Sequence, residues 1–243
     1  MVVTSRIENV RELVARTRYV VFGFDGPICQ LFSGPSATAV ARAGQDRLTE
    51  QALRAPLTGA QRGPTDPGPA LAGAAGRHPG AEAAAGFEEW LTRAELEAVR
   101  TAMPTAYADP LIHTWAAVGA RLAVATGTSA RAVTAYLDGR GLTARFVPHI
   151  YGRTTDPGTP VPRAAALERT LDLALGAMGA ERDASLMIGA TPADHTAAHR
   201  SGIRFLGYAR RPARARALEE AGVPARCVTD SLEPLLRALR ERP

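Results

Sequence analysis

The stretch Tyr19-Val20-Val21-Phe22-Gly23-Phe24-Asp25-Gly26 limits the possible folds of this chain more than any other. It is an apolar run rich in β-branched and aromatic residues, broken by an Asp-Gly turn. Such a run reads as a buried parallel strand with a polar loop at its carboxyl end. In open α/β sheets, ligands bind outside those strand ends. Further short apolar runs at 121–125, 146–151, 186–189 and 204–208 alternate with stretches of helical period. This alternation predicts an α/β fold, a doubly wound parallel sheet.

Helices are expected over 36–53, 87–103, 110–118, 130–137, 163–178, 191–200, 218–221 and 232–240, from apolar residues at helical spacing. Residues 56–86 are rich in Gly, Pro and Ala, the composition of a mobile loop or frayed linker. Thr92 and Glu95 have the spacing of a capping box, which predicts a helix start there.

The length of 243 residues suits one large domain, or one domain with an insert. No apolar run approaches the roughly 20 residues needed to span a bilayer. The first residues lack the apolar stretch of a signal peptide, so a cytoplasmic location is expected. Cys29 and Cys227 form neither a disulfide framework nor a CxxC pair and read as buried thiols. The chain has no lysine: all 29 basic residues are arginine. With abundant Ala, Gly and Pro, this looks like a GC-rich coding bias, as in actinobacteria, and it accounts for the pI near 9.8. The formal charge of +5 is modest for this length. Arg210, Arg211, Arg214 and Arg216 form one local cluster, read as a solvated face. No aromatic residues interleave with it, so no nucleic acid is expected as a partner; without a bilayer-spanning run, no membrane is expected either.

Four loops carry the chemistry. The first is Gly23-Phe24-Asp25-Gly26; the second is Ala125-Thr126-Gly127 after an apolar run. The third is Val161-Pro162-Arg163, and the fourth is Gly189-Ala190-Thr191-Pro192-Ala193-Asp194. In order and spacing, over residues 18–235, these loops resemble the motifs of the haloacid dehalogenase superfamily. Its phosphoglycolate-phosphatase-like hydrolases are the nearest pattern, here with degenerate motifs. The resemblance implies a Rossmann-like core, residues 1–32 and 109–243, and a small helical cap, residues 33–108, with the linker 56–86 inside it. It also implies a reaction in which a first Asp attacks phosphorus and a second protonates the leaving group. A Ser or Thr and a Lys hold the phosphate, and acidic residues hold magnesium.

Against that pattern, Gly23 stands where the nucleophile belongs, Val161 where the lysine belongs and Ala190 where the main magnesium ligand belongs. Asp25 matches the acid/base, although Asp before Gly is also a common turn former. Thr126 matches the phosphate-binding hydroxyl, or caps the following helix. Arg163 could reach back to an anion or simply open a helix. Asp194 matches a metal ligand and also suits a helix N-terminus. Gly23, Gly26, Thr126, Gly127, Arg163 and Thr191 are the candidate ligand-binding positions. Asp25 is the candidate catalytic residue, and Asp194 a weak metal ligand. His195 and His199 have a metal-like i, i+4 spacing without a third ligand.

Three neutral replacements at three loops predict a scaffold without the aspartyl-phosphate route. The expected protein is a binding or regulatory pseudoenzyme for a small acidic or phosphorylated ligand, or for a protein partner. No cofactor is expected, and magnesium only with residual hydrolase activity. The alternative is a hydrolase or other acid/base enzyme using Asp25 on a small phosphorylated substrate. A weak phosphatase is a third reading.

Overall fold

A computed structural model of the chain describes residues 10–32, 43, 81–153 and 163–242. The first helix, α1 (Val10–Ala15), leads into β1 (Tyr19–Phe22). Two short strands, β2 (Cys29–Gln30) and β3 (Met103–Pro104), follow and pair antiparallel on either side of helix α2 (Ala81–Val99). Then come α3 (Ala108–Ala117), β4 (Arg121–Ser129), α4 (Ala130–Gly139), β5 (Ile150–Arg153) and α5 (Arg163–Ala177). The chain continues through β6 (Ser185–Gly189), α6 (Pro192–Arg200), β7 (Arg204–Tyr208), α7 (Pro212–Glu220), β8 (Val228–Thr229) and α8 (Glu233–Arg240).

Six strands form one parallel sheet in the order β5-β4-β1-β6-β7-β8. The chain steps from β1 outward through β4 and β5, then returns to build the other side through β6, β7 and β8. This reversal beside β1 is a topological switch point, and all six carboxyl ends open on the same edge. Side chains alternate across the sheet, as a period of two requires. Val20, Phe22, Leu122, Val124, Leu186 and Ile188 pack with Trp115, Leu137 and Leu235 on one face. Val21, Ala123, Ala125 and Met187 pack with Leu167, Leu171, Ala197 and Ala198 on the other. Helices therefore cover both faces, and β1 is apolar throughout for that reason. Trp115 is fully buried, and burial of such a side chain stabilises the fold by roughly 1.5–3 kcal/mol or more.

The parallel sheet, the helix order and the burial of β1 agree with the sequence expectation. Several boundaries differ. The helix expected from residue 87 starts at Ala81, so residues 81–86 of the supposed linker are helical. Thr92 and Glu95 do not cap its start: both lie inside α2, where the Thr92 hydroxyl donates to Glu88 Oε1 at 3.3 Å. The strand expected to end at residue 125 runs on to Ser129. The strand expected at 146–151 is shifted to Ile150–Arg153, and Phe146 packs in the core ahead of it. Cys227 is half-buried, whereas Cys29 is buried as expected. The helix expected over 36–53 and most of the 56–86 linker lie outside the described residues.

The prolonged β4 requires a close approach. A β-carbon built on Gly152 would fall 2.6 Å from the Thr128 carbonyl oxygen and closer still to the Ala130 backbone nitrogen. Backbone cannot swing aside as a side chain can. Gly152→Ala is expected to cost at least about 2 kcal/mol by overpacking. Gly139→Ala, with open space around its β-carbon, should be neutral or stabilise by about 0.5–1 kcal/mol. Urea unfolding of both variants checks the contrast.

Candidate functional site

The carboxyl ends of β1, β4, β5, β6 and β7 bring three of the four sequence loops to one edge. Gly23 continues β1, its N–H donating to the Ile188 carbonyl at 2.8 Å. A β-carbon built there would lie 3.5 Å from the Ile188 carbonyl oxygen and 3.8 Å from Asp194 Oδ2. A β-carbon would therefore fit there in ordinary contact, and the position adjoins the fourth loop. At Gly26 a side chain is excluded. Its φ is +110°, and an added β-carbon would sit 2.6 Å from the Ala190 β-carbon.

Asp25 is half-exposed. Its Oδ1 accepts from the Leu31 N–H at 2.9 Å, and its Oδ2 faces Arg214 Nη2 at 3.4 Å. Arg214 reaches over from α7, so this member of the arginine cluster is not on a purely solvated face as the sequence reading held. With side-chain exposures of 42% and 37%, the pair adds little stability, about 0–1 kcal/mol. It does place a guanidinium above the end of β1. The re-entering chain is stitched to the same loop: the Thr105 hydroxyl donates to the Gly26 carbonyl at 2.5 Å, and the Thr105 N–H donates to the Ile28 carbonyl at 3.0 Å.

In the fourth loop, Thr191 is the N-cap of α6. Its hydroxyl accepts from the Asp194 N–H, while Asp194 Oδ2 accepts from the Thr191 N–H at 2.9 Å and the Ala190 N–H at 2.8 Å. Pro192 and Asp194 thus build a helix start, and the buried carboxylate answers amides that no helical carbonyl can reach. Magnesium binds through several oxygens, one or two of them anionic. Gly23 and Ala190 contribute no carboxylate, and Asp194 Oδ2 is turned to two amides. These residues do not fit a magnesium centre. Among the described residues, no group of three or more His, Cys, Asp or Glu is placed to hold a metal ion. The His195 and His199 rings lie 6.2 Å apart and line a cleft of ≈ 200 Å³ with Phe205, Val223 and Cys227. Burial pushes His195 below its ordinary range, with His199 adding to the effect.

At the second loop, Thr126 is buried and its Oγ1 accepts from the Thr128 N–H at 3.2 Å, a turn within the loop itself. The Ser129 N–H, which opens α4, donates to Glu95 Oε2 at 2.9 Å. Glu95 comes from α2. Arg153, the last residue of β5, donates to both Glu95 oxygens at 2.8 and 3.1 Å, to both Glu88 oxygens at 2.9 and 2.7 Å, and to the Gly127 carbonyl at 2.8 Å. Glu95 retains 4% side-chain exposure and Arg153 22%. One guanidinium thus serves two carboxylates. Burial pushes the Glu95 carboxyl above its ordinary range; the Arg153 bonds and the Ser129 N–H pull it down, and Glu88 adds a further upward push. For Arg153, burial lowers and the Glu88 and Glu95 bonds raise, with a net upward direction.

This Glu88–Glu95–Arg153 cluster and Arg214 are the site residues that the sequence reading missed. Glu88 and Glu95 are seven apart, two helical turns on one face, which was the available signal. In the third loop, Val161 and Pro162 lie outside the described residues, as does the side chain of Arg163, whose backbone opens α5.

Two measurements follow from this geometry. Gly23→Ala should change stability by less than about 0.5 kcal/mol, because its β-carbon meets only ordinary contacts. Gly26→Ala should cost about 1–3 kcal/mol from its positive φ and the Ala190 clash. Chemical denaturation compares them. The second concerns pH. A carboxyl whose folded pKa is raised binds more protons in the folded state, so stability falls as pH rises. The contribution of Glu95 is fully present below the ordinary glutamate range and is lost through its elevated folded value. Glu95→Gln should remove that part of the slope in urea unfolding followed upward from the ordinary glutamate range.

No family model matches the chain, and no curated protein matches it. Solved structures do. A predicted phosphatase from Clostridium acetobutylicum superposes with a TM-score of 0.61 at 15% identity, covering 93% of this chain and 99% of that one. A haloacid dehalogenase-like hydrolase family protein from Streptococcus pneumoniae gives 0.59 at 15% identity, covering 94% and 100%. A HAD-superfamily hydrolase of subfamily IA from Geobacter sulfurreducens gives 0.52 at 18% identity, covering 92% and 97%. At these identities the likeness concerns architecture, and it agrees with the central β1 and the parallel sheet: the chain has the haloacid dehalogenase-like fold.

Proposed function

We propose that this protein uses the hydrolase fold to bind, not to transfer a phosphoryl group through an aspartyl intermediate. One observation carries the reading: the position that adjoins Asp194 at the end of β1 is Gly23, where a β-carbon would fit and no side chain is present. Phosphoryl transfer relies on positioning and on charge placed against the transferring group. Here the buried carboxylate of Asp194 is committed to two amides, and Ala190 is apolar. The cations of the edge, Arg153 and Arg214, face protein carboxylates. The ligand class we assign to the edge is a small acidic or phosphorylated molecule, because the N-termini of α4 and α6 and the half-exposed Arg214 guanidinium lie there.

A second reading has its own support. Asp25 keeps 37% side-chain exposure and so remains within reach of a ligand. On that reading the chain is an acid/base enzyme for a small phosphorylated substrate, with Asp25 moving the proton.

The deciding assay is hydrolysis of generic phosphomonoesters in the presence of magnesium, read with thermal melting. The wild-type chain should show no turnover above a blank, since the uncatalysed reaction is among the slowest known. Millimolar magnesium should leave its melting temperature unchanged, because stabilisation follows the ratio of ligand concentration to dissociation constant. Gly23→Asp, Val161→Lys and Ala190→Asp together should create measurable turnover. Each alone should create little, since residues acting as a unit are strongly non-additive. Wild-type turnover abolished by Asp25→Asn would favour the acid/base reading.

A further inference from the structure

A cleft away from the end of β1 holds the two imidazoles of α6. His195 and His199 lie four apart on that helix. They open into the space of ≈ 200 Å³ that Phe205 of β7 closes together with Val223, Pro224 and Cys227, from the segment between α7 and β8. Residues four apart share one face of a helix, and this face turns into a cavity. Phe205, Val223 and Pro224 are apolar, so the two rings and the Cys227 thiol are the polar groups the cavity presents.

The rings are spaced for a shared ligand. Their centroids lie 6.2 Å apart, with the planes at 81°. A transition-metal ion sits about 2.0–2.1 Å from an imidazole nitrogen. Two rings at this separation can each offer a nitrogen to one ion once the exposed His199 turns slightly inward. His195 is steadied from two sides: the Phe205 ring lies 5.3 Å away, and the Ala221 backbone faces one of its nitrogens. An imidazole that gives its N–H to a carbonyl keeps a lone pair on the other nitrogen, and metal-bound histidines are commonly oriented this way. Imidazole is mostly uncharged at neutral pH and suits ions such as Zn²⁺ or Cu²⁺, whereas Mg²⁺ takes oxygen. Cys227 shares the cleft, but the protein sets no third ligand in place: among the described residues no group of three or more His, Cys, Asp or Glu is placed to hold an ion.

We propose that His195 and His199 form a two-imidazole seat for one divalent transition-metal ion, with water in its remaining positions. An ion held by residues four apart clips one turn of α6 and stabilises the folded chain in proportion to its binding. The inference does not depend on whether the chain binds or hydrolyses a phosphorylated molecule, since Gly23 and Asp25 take no part in it.

Calorimetric titration and thermal melting of the full chain with zinc chloride, after treatment with a chelator and beside magnesium chloride, test it. Wild type should take up a single Zn²⁺ saturably and melt higher with it, and Mg²⁺ should do neither. His199→Ala, at an exposed position, should weaken Zn²⁺ binding at least about tenfold and leave the melting temperature without metal nearly unchanged. His195→Ala should weaken binding as much; if it does not fold, His199→Ala carries the comparison. Cys227→Ser should hold the affinity within about twofold of wild type. A loss of about tenfold or more in Cys227→Ser would overturn the two-imidazole assignment, because the thiol would then be a ligand. No saturable Zn²⁺ uptake by wild type, uptake that survives the histidine substitutions, or Mg²⁺ uptake equal to that of Zn²⁺ would overturn it as well.

Discussion

Everything at the candidate site follows from the double pairing of β1. Its residues Tyr19–Phe22 pair parallel with β4 on one side and β6 on the other, in register over all four positions. A strand hydrogen-bonded on both edges and covered on both faces has no freedom left. Its carboxyl end must therefore open between the ends of β4 and β6. Gly23, the Thr126–Ser129 segment and the Asp194 helix start become neighbours through that constraint, although more than a hundred residues separate the first from the last.

Charge at this edge is arranged in closed sets. Asp194 answers the amides of its own helix start. Asp25 faces Arg214 and the Leu31 amide. Glu88 and Glu95 share Arg153. Each set satisfies groups that would be costly to leave bare in a buried place. Phosphoryl transfer needs donors and cations aimed at a volume where charge will develop, and on the proposed reading these closed sets leave little of that. The likeness in fold does not by itself carry an activity, because architecture does not determine chemistry.

Much of the architecture was legible from residues alone. The strands at β1, β6 and β7 announce themselves as apolar runs, and a helix start near Thr191 was expected, with Asp194 suited to it by charge. The loop positions Gly23, Asp25, Thr126 and Asp194 could be placed at one edge because parallel strands share a carboxyl side. What was hidden depended on contacts between distant segments. Thr92 and Glu95 carry the local pattern of a capping box, yet α2 begins eleven residues before Thr92, and tertiary contacts give Glu95 a different task. Local spacing cannot reveal that Arg153 lies opposite. The extension of β4 to Ser129 was likewise concealed, since Thr126-Gly127-Thr128 reads as a turn until β5 pairs beside it. Arg214 was indistinguishable from its exposed neighbours in a run of arginines, and only the packing of α7 turns it towards Asp25.

The central claim is that no carboxylate of this chain takes a phosphoryl group. The most direct test is intact-protein mass spectrometry after incubation with acetyl phosphate and magnesium and an acid quench, conditions under which an aspartyl phosphate survives. The account predicts an unmodified mass for wild type. A hydroxylamine-sensitive mass increase of one phosphoryl group, mapping to Asp25 or Asp194, would contradict it.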